Sequence, residues 1–171
     1  MSTTGRKGSY RWVWLLPLFL SACGFHLRGT VLLPVEMAQT YVEAGKYPDL
    51  ARALRDQLQG SNVTLVSSVS VATAVIRLQS ESRSRRILSV DSNGQANAYE
   101  LVYQVSFDLV DMHGESLLPT QSLSRSRDLN LSGDNLLGKS REEQQIYDTL
   151  LLNMASAILQ RIQYARLGTA Q

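Results

Sequence analysis

The sequence predicts an α+β fold in which two helices pack on one face of a mostly antiparallel sheet of about four strands. Three observations support this prediction. Residues 99–110 alternate large apolar with mainly polar side chains, which is typical of a long strand with one buried face. Turn sequences at 91–94 and 111–115 flank this strand and join it to further extended segments. Leucine-rich stripes at helical spacing, near residues 50 and 150, supply two helices to cover the buried face.

The chain begins with a segment typical of a lipoprotein signal peptide. Arg6, Lys7 and Arg11 precede the apolar residues 12–20, and Leu20-Ser21-Ala22-Cys23 follows. Nine residues cover about 14 Å as a helix, against roughly 30 Å of membrane hydrocarbon, so this segment is too short to span a bilayer. We expect cleavage before Cys23, which would then carry N-acyl and S-diacylglycerol lipid. An ordinary cleaved signal and an uncleaved anchor are the alternatives.

Cleavage at this point predicts four segments. They are a signal peptide (1–22), a lipidated tether (23–36), a single α+β domain (37–167) and a tail (168–171). The remaining 149 residues are enough for one domain with a hydrophobic core. Removing the signal takes 3 of the 17 basic residues and none of the 15 acidic ones, which leaves a net charge of −1. The charge therefore gives no argument for a nucleic-acid partner.

The first half of the domain contains two strand signals around one helix. The β-branched and aromatic residues of 39–43 predict a short strand. Pro48 and Asp49 are typical of a helix start, Leu50, Leu54 and Leu58 share one helical face, and Gly60 is a natural stop. Residues 63–66 predict a second, short strand.

Three extended segments and a helix follow. A strand from Ala74 to Val90 leads through the Asn93-Gly94 hairpin turn into the strand at 99–110, and a last strand covers 116–128. Residues 129–139 are predicted to form a loop. Ser140 and Glu143 fit a capping box at the start of the final helix, which we expect to lie beside the first helix on the sheet.

Arginine is conspicuous in two of these strands. Arg77, Arg83 and Arg85 alternate along one strand next to Arg86, and Arg125 and Arg127 alternate along another. Their spacing predicts a band of guanidinium groups on the exposed face of the sheet, able to pair with phosphates or carboxylates. The alternative is a solvated sheet face whose charges protect strand edges.

Residues for catalysis or metal binding are scarce. His26 and His113 are the only histidines, and Cys23, the only thiol, is expected to be acylated. The chain has no paired-histidine metal spacing, phosphate-binding loop or nucleophile elbow. The sequence therefore predicts a binding or structural protein, not an enzyme, with no cofactor besides the lipid on Cys23.

After cleavage the chain would begin with Cys23-Gly24-Phe25-His26-Leu27-Arg28. This hexapeptide resembles the start of the mature LptE family, the outer-membrane lipoproteins of lipopolysaccharide transport. The hairpin near residue 93 and the long final helix agree with the family's order of elements. The resemblance implies a lipoprotein anchored in the inner leaflet of the outer membrane on its periplasmic side. It also implies that the domain plugs the LptD β-barrel, helps to assemble it and takes part in inserting lipopolysaccharide into the outer leaflet.

The same resemblance implies where lipopolysaccharide binds. Family members place basic residues at the hairpin tip and before the last helix. Lys139 matches the second position, whereas Ser92 occupies the tip position that is arginine in well-known members, and Arg85 or Arg86 would have to substitute for it. The rival hypothesis is a free periplasm-facing lipoprotein that binds an acidic glycolipid or glycan without a barrel partner.

Overall fold

The structure is a computed structural model that describes residues 32–131 and 136–165. The signal peptide, Cys23, most of the tether and the tail lie outside the described residues, and the four predicted segments stay predictions. In chain order the elements are β1 (Gln39–Glu43), α1 (Pro48–Leu58), β2 (Thr64–Leu65), β3 (Ala74–Val90), β4 (Ala96–Val110), β5 (Ser116–Asn130) and α2 (Leu136–Tyr164).

The strands form one mixed sheet in the order β2-β1-β3-β4-β5. β1 is parallel to both β2 and β3, while β3, β4 and β5 are antiparallel neighbours. The predicted α+β class is confirmed, with five strands where about four were expected. The shortest strand, β2, has two residues and lies within the short strand predicted at 63–66.

One hydrophobic core lies between the sheet and the two helices. From α1 it takes Leu50, Leu54 and Leu58, and from α2 it takes a stripe that includes Met154 and Ile158, all of them fully buried. The sheet contributes the odd-numbered residues of β4: Leu101, Tyr103, Val105, Phe107 and Leu109. Burial of each such side chain stabilises the fold by about 1.5–3 kcal/mol, so this face of the sheet holds both helices in place.

The two helices contact each other directly, as predicted. The side-chain amide of Gln57 on α1 donates to the Leu152 carbonyl on α2 at 3.1 Å. Ser156 Oγ on α2 donates to Gln57 Oε1 at 3.0 Å. α1 therefore lies beside α2 on the same face of the sheet.

The start of α2 differs from the prediction. The helix begins at Leu136, so Ser140 and Glu143 lie inside it and do not form a capping box at its start. Lys139 lies in the first turn of the helix and not in a loop. Leucine and lysine are good helix formers, and the cost of Gly138, about 1 kcal/mol, is small for a helix of 29 residues. β5 also extends to Asn130, two residues beyond the prediction.

A bulge in β3 reverses the faces of the strand. Leu78 pairs with Phe107 but Ser80 pairs with Ser106, which leaves Gln79 as an extra residue in β3. Because side chains alternate along a strand, one extra residue moves every later side chain to the opposite face. A similar shift in β5 follows Leu118, which pairs with Leu109.

The predicted arginine band is therefore wrong. We call the sheet face opposite the helices the open face. Arg77, before the bulge, lies on the open face, whereas Arg83 and Arg85, after it, lie on the helix side. Arg125 and Arg127 also face the helix side, where they line grooves against α2. The alternation of the sequence could not show this, because the extra residue is itself polar and does not interrupt the pattern.

Candidate functional site

The open face carries three rows of small polar side chains across β3, β4 and β5. We call them the serine rows: Ser80, Ser106 and Ser122; Ser82, Gln104 and Ser124; Ser84, Val102 and Ser126. The hydroxyl oxygens of Ser106 and Ser122 are 2.9 Å apart and hydrogen-bonded. The nine positions of the serine rows include no charged side chain.

Charged side chains border the serine rows at both ends, and most of them are paired. At one end Arg77 donates two hydrogen bonds to Asp108, at 2.8 and 2.6 Å, and Gln79 donates a third at 3.1 Å. At the other end Arg86 pairs with Glu100, and this hydrogen bond lowers the pKa of the Glu100 carboxyl. The surface between the two pairs is neutral.

The hairpin between β3 and β4 ends in a tight turn, as predicted. Asp91 Oδ1 accepts hydrogen bonds from the backbone N–H groups of Asn93 and Gln95, and Gly94 has a φ of 76°. Ser92 is exposed in this turn. Below it, the apolar side chains of Ile87, Leu88 and Val90 are 58%, 48% and 55% exposed. The turn is thus polar and the end of the strand below it is apolar, and residues 87–95 include no basic residue.

The structure places Arg85 and Arg86 on opposite faces of the sheet. Arg85 lies over the ring of Tyr99, 5.1 Å from its centroid, and pairs with Glu143 of α2 at 3.7 Å. Arg86 points to the open face and pairs with Glu100. Both candidate arginines therefore have a carboxylate partner within the chain.

Lys139 is half-buried in the first turn of α2. It precedes Glu143 by four residues, which places both on one face of the helix, and Glu143 pairs with Arg85. Lys139 and Arg85 are thus brought to the same side of the molecule. Ser92 lies beyond them at the hairpin tip and Arg86 faces away, so the four candidate residues do not form one cluster.

Arg83, predicted on the exposed face of the sheet, lies instead against two aromatic rings on the helix side. Its guanidinium carbon is 5.5 Å from the Tyr103 ring centroid and 5.7 Å from that of Tyr147. Burial and the nearby carboxylate of Glu81 raise the pKa of the Tyr103 phenol. Within residues 32–131 and 136–165, the buried Tyr103 hydroxyl has no hydrogen-bond partner. This arrangement follows from the Gln79 bulge and has no signal in the sequence.

Two classes of feature are absent from the described residues. No helix in 32–131 or 136–165 is long and apolar enough to cross a membrane. The same residues contain no group of three or more histidine, cysteine or acidic side chains that could hold a metal ion. The described part of the chain thus offers surfaces for binding and no recognisable metal centre.

Comparison with known proteins identifies the family. Residues 37–162 match the model of the LptE family, described as lipopolysaccharide-assembly. The chain belongs to the LptE family. The match covers the sheet and nearly all of α2, so it includes both the serine rows and the Lys139 region.

Individual relatives agree with this assignment. An LPS-assembly lipoprotein LptE of Photorhabdus laumondii subsp. laumondii is 33% identical over 109 residues, which cover 63% of this chain and 59% of the relative. The matched segment thus spans about three fifths of that relative's length.

Two solved lipoprotein structures share the fold. Lipoprotein B of Nitrosomonas europaea is similar at a TM-score of 0.68 and 27% identity, over 82% of this chain and 90% of that one. Rare lipoprotein B of Shewanella oneidensis is similar at a TM-score of 0.63 and 28% identity, over 72% and 92%. The family and the fold of a lipopolysaccharide-assembly lipoprotein are therefore shown together.

Proposed function

We propose that the protein is an outer-membrane lipoprotein that plugs the LptD β-barrel, assists its assembly and takes part in inserting lipopolysaccharide into the outer leaflet. The lipid on Cys23 would hold it in the inner leaflet of that membrane, on the periplasmic side. Its part would be structural and not catalytic. Membership of the family supports the general task, and the serine rows are the observation that carries the plug role.

The serine rows suit the interior of a barrel for a physical reason. The lumen of an outer-membrane barrel is polar, and removing a charge from water against it would cost several kcal/mol unless the charge were paired. A serine hydroxyl both donates and accepts a hydrogen bond, so it can adapt to either kind of group on the wall. The nine positions are uncharged and only Val102 is apolar, so they give a contact surface with little desolvation cost.

Paired variants test the plug role. Ser82→Arg with Ser124→Arg would place two unpaired charges in the contact, and we expect LptD to be lost from the detergent-extracted lipoprotein. Ser67→Arg with Ser70→Arg makes the same change at exposed positions of the loop before β3 and should leave recovery unchanged. Equal recovery of the barrel with both pairs, each folded by circular dichroism, would remove the serine rows from the contact.

In this proposal, lipopolysaccharide contacts the side of the molecule that carries Lys139. Arg85 lies nearby and would be available on exchange of its ion pair with Glu143, which at 3.7 Å is long and partly exposed. Ser92 marks the hairpin tip, where the exposed Ile87, Leu88 and Val90 suit acyl chains better than phosphates. Arg86 would contribute only if lipopolysaccharide also reached the open face.

The rival function, a free lipoprotein that binds an acidic glycolipid or glycan, makes a different prediction in cells. Depleting the protein should lower the amount of mature LptD only if it assists assembly of the barrel. Unchanged barrel levels after depletion would favour the free binding module.

A further inference from the structure

A groove runs between the outer strand β5 and helix α2. The two elements are antiparallel: Arg161 near the end of α2 donates to Gln121 near the start of β5, at 2.8 and 2.6 Å. Toward the other end, Arg127 lies opposite Ile146 and Thr149. Between these points the groove encloses about 360 Å³, and its lining includes Arg125, Arg127, Asn153 and Gln160.

The two arginines of this groove differ from those of β3. Each arginine of β3 pairs with a carboxylate: Arg77 with Asp108, Arg83 with Glu81, Arg85 with Glu143 and Arg86 with Glu100. In the described part of the chain, Arg125 donates only to the Ser124 carbonyl, at 3.2 Å, and Arg127 has no hydrogen bond or ion pair. Nearly all of their donor capacity is thus available to a ligand.

The facing surface of α2 is neutral and polar at this level. Asn153, Ser156 and Gln160 follow at i, i+3 and i+7 on one stripe, together with the small residue Ala157. No carboxylate lines this section. Glu142 lines the adjoining section beside Arg127, so negative charge at that end favours placing an anion nearer Arg125.

We propose that this groove binds a phosphorylated saccharide. Arg125 and Arg127 alternate on one strand, which sets them roughly 7 Å apart, and a guanidinium fork pairs bidentately with phosphate. The amides of Asn153 and Gln160 lie across the groove and suit sugar hydroxyls, because an amide both donates and accepts. A concave groove with two arginines and two amides fits a sugar phosphate better than the flat wall of a protein.

Two sources could supply this ligand: a free sugar phosphate or the phosphorylated headgroup of lipopolysaccharide. The inference rests on the proposed function only for the second source. The groove does not include Lys139. However, Lys139 lies on the same stripe of α2 as the groove lining, three residues before Glu142 and seven before Ile146. A single large ligand could therefore extend from Arg125 to Lys139.

Calorimetric titration of the full mature lipoprotein in detergent tests the proposal. The probes are an acyl-free, doubly phosphorylated glucosamine disaccharide, the same disaccharide without phosphate, inorganic phosphate, and lipopolysaccharide. We expect Arg125→Gln with Arg127→Gln to weaken binding of the phosphorylated disaccharide about tenfold or more, because two charge-assisted contacts are lost. Arg52→Gln with Arg141→Gln changes the net charge equally at exposed positions outside the groove and should leave affinity within about twofold.

The remaining outcomes separate the possibilities. Gln160→Leu should weaken the phosphorylated disaccharide but not inorganic phosphate. Equal affinity of the groove variant and the wild type for the phosphorylated disaccharide overturns the site. If the wild type binds inorganic phosphate as tightly as it binds the phosphorylated disaccharide, the saccharide assignment is overturned. Loss of LptD from the groove variant, with disaccharide binding unchanged, would make the groove a barrel contact and also overturn it. Co-purification of LptD with the wild-type lipoprotein is measured separately. Failure of the proposed function can therefore be told apart from failure of the groove proposal.

Discussion

The guanidinium of Arg83 on β3 lies over the ring of Tyr147 on α2, with 5.7 Å between the guanidinium carbon and the ring centroid. Tyr147 also donates a hydrogen bond from its hydroxyl to the Ser84 carbonyl at 2.9 Å. These contacts fasten the distal half of β3 to the long helix. They exist because the extra residue Gln79 turns Arg83 toward the helices and the serines of β3 toward the open face.

Deleting Gln79 tests this consequence of the bulge. Leu78 pairs with Phe107 and Ser80 with Ser106, so without the residue between them the pairing becomes regular, and Arg83 and the serines keep their present faces. We expect the free energy of unfolding in urea to fall by about 1–2 kcal/mol, because the hydrogen bond from Gln79 to Asp108 and the local twist of the bulge are lost. Gln79→Ala keeps the backbone length and the bulge, and should cost less than the deletion. A loss of many kcal/mol on deletion, beside a small loss for Gln79→Ala, would contradict this pairing.

Asp108→Asn probes the partly buried ion pair between Arg77 and Asp108 on the open face. The Asp108 side chain is 10% exposed and accepts from both Arg77 and Gln79, whereas Arg77 is 37% exposed. Removing the carboxylate charge leaves the guanidinium without its partner, and since Arg77 is partly solvated we expect a loss of about 1–3 kcal/mol in unfolding free energy. Glu100→Gln removes the corresponding charge from the exposed pair with Arg86 and should cost less. A larger loss for Glu100→Gln would contradict this ranking.

Tyr103 should make the fold less stable at alkaline pH. Burial raises the pKa of its phenol in the folded state, so the folded chain keeps the proton while the unfolded chain releases it near pH 10. Because the folded state then binds more protons, stability should fall as the pH rises above about 10. Tyr103→Phe should reduce this fall, measured by urea unfolding between pH 8 and 11.

Tyr103→Phe and Tyr147→Phe should differ at neutral pH. The Tyr103 hydroxyl is buried without a hydrogen-bond partner in the described residues, so its removal should leave stability unchanged or raise it. The Tyr147 hydroxyl bonds to the Ser84 carbonyl, and its removal should cost about 1 kcal/mol. Equal losses for the two variants would mean that the Tyr103 hydroxyl also has a partner in solution.

Lys139→Asp should weaken lipopolysaccharide binding about tenfold while LptD still co-purifies, because the change replaces attraction of a phosphate by repulsion. Lys46→Asp makes the same change at an exposed position before α1 and serves as the control. Equal binding by the Lys139 variant and the wild type, measured on immobilised lipopolysaccharide, would remove Lys139 from the site.

Metabolic labelling with a fatty acid tests the anchor. We expect label on the wild-type protein and none on Cys23→Ser, with the variant lost from the membrane fraction, since stable attachment needs more than one acyl chain. Labelled Cys23→Ser protein would exclude the predicted lipidation site.

The sequence by itself determined the order of the elements and the bounds of several of them. β1, α1 and β3 begin and end where local signals place them: β-branched residues, proline at a helix start, a leucine stripe and the Asn93-Gly94 turn. These signals are local because a turn or a helix start depends on a few neighbouring residues. The family resemblance, quoted on residues 23–28, was confirmed by a match over 37–162, which does not include them.

Only the tertiary structure decided which way the side chains face. Gln79 is polar and continues the alternation of apolar and polar residues along β3, so no local signal in the sequence distinguishes a bulge there from a regular strand. The bulge appears only when β3 is paired with the regular strand β4, whose apolar face must lie under the helices. The register of the sheet brings each arginine of β3 to a carboxylate, leaves Arg125 and Arg127 without one beside α2, and places the serines on the open face. All three arrangements depend on the register between strands that are distant in sequence.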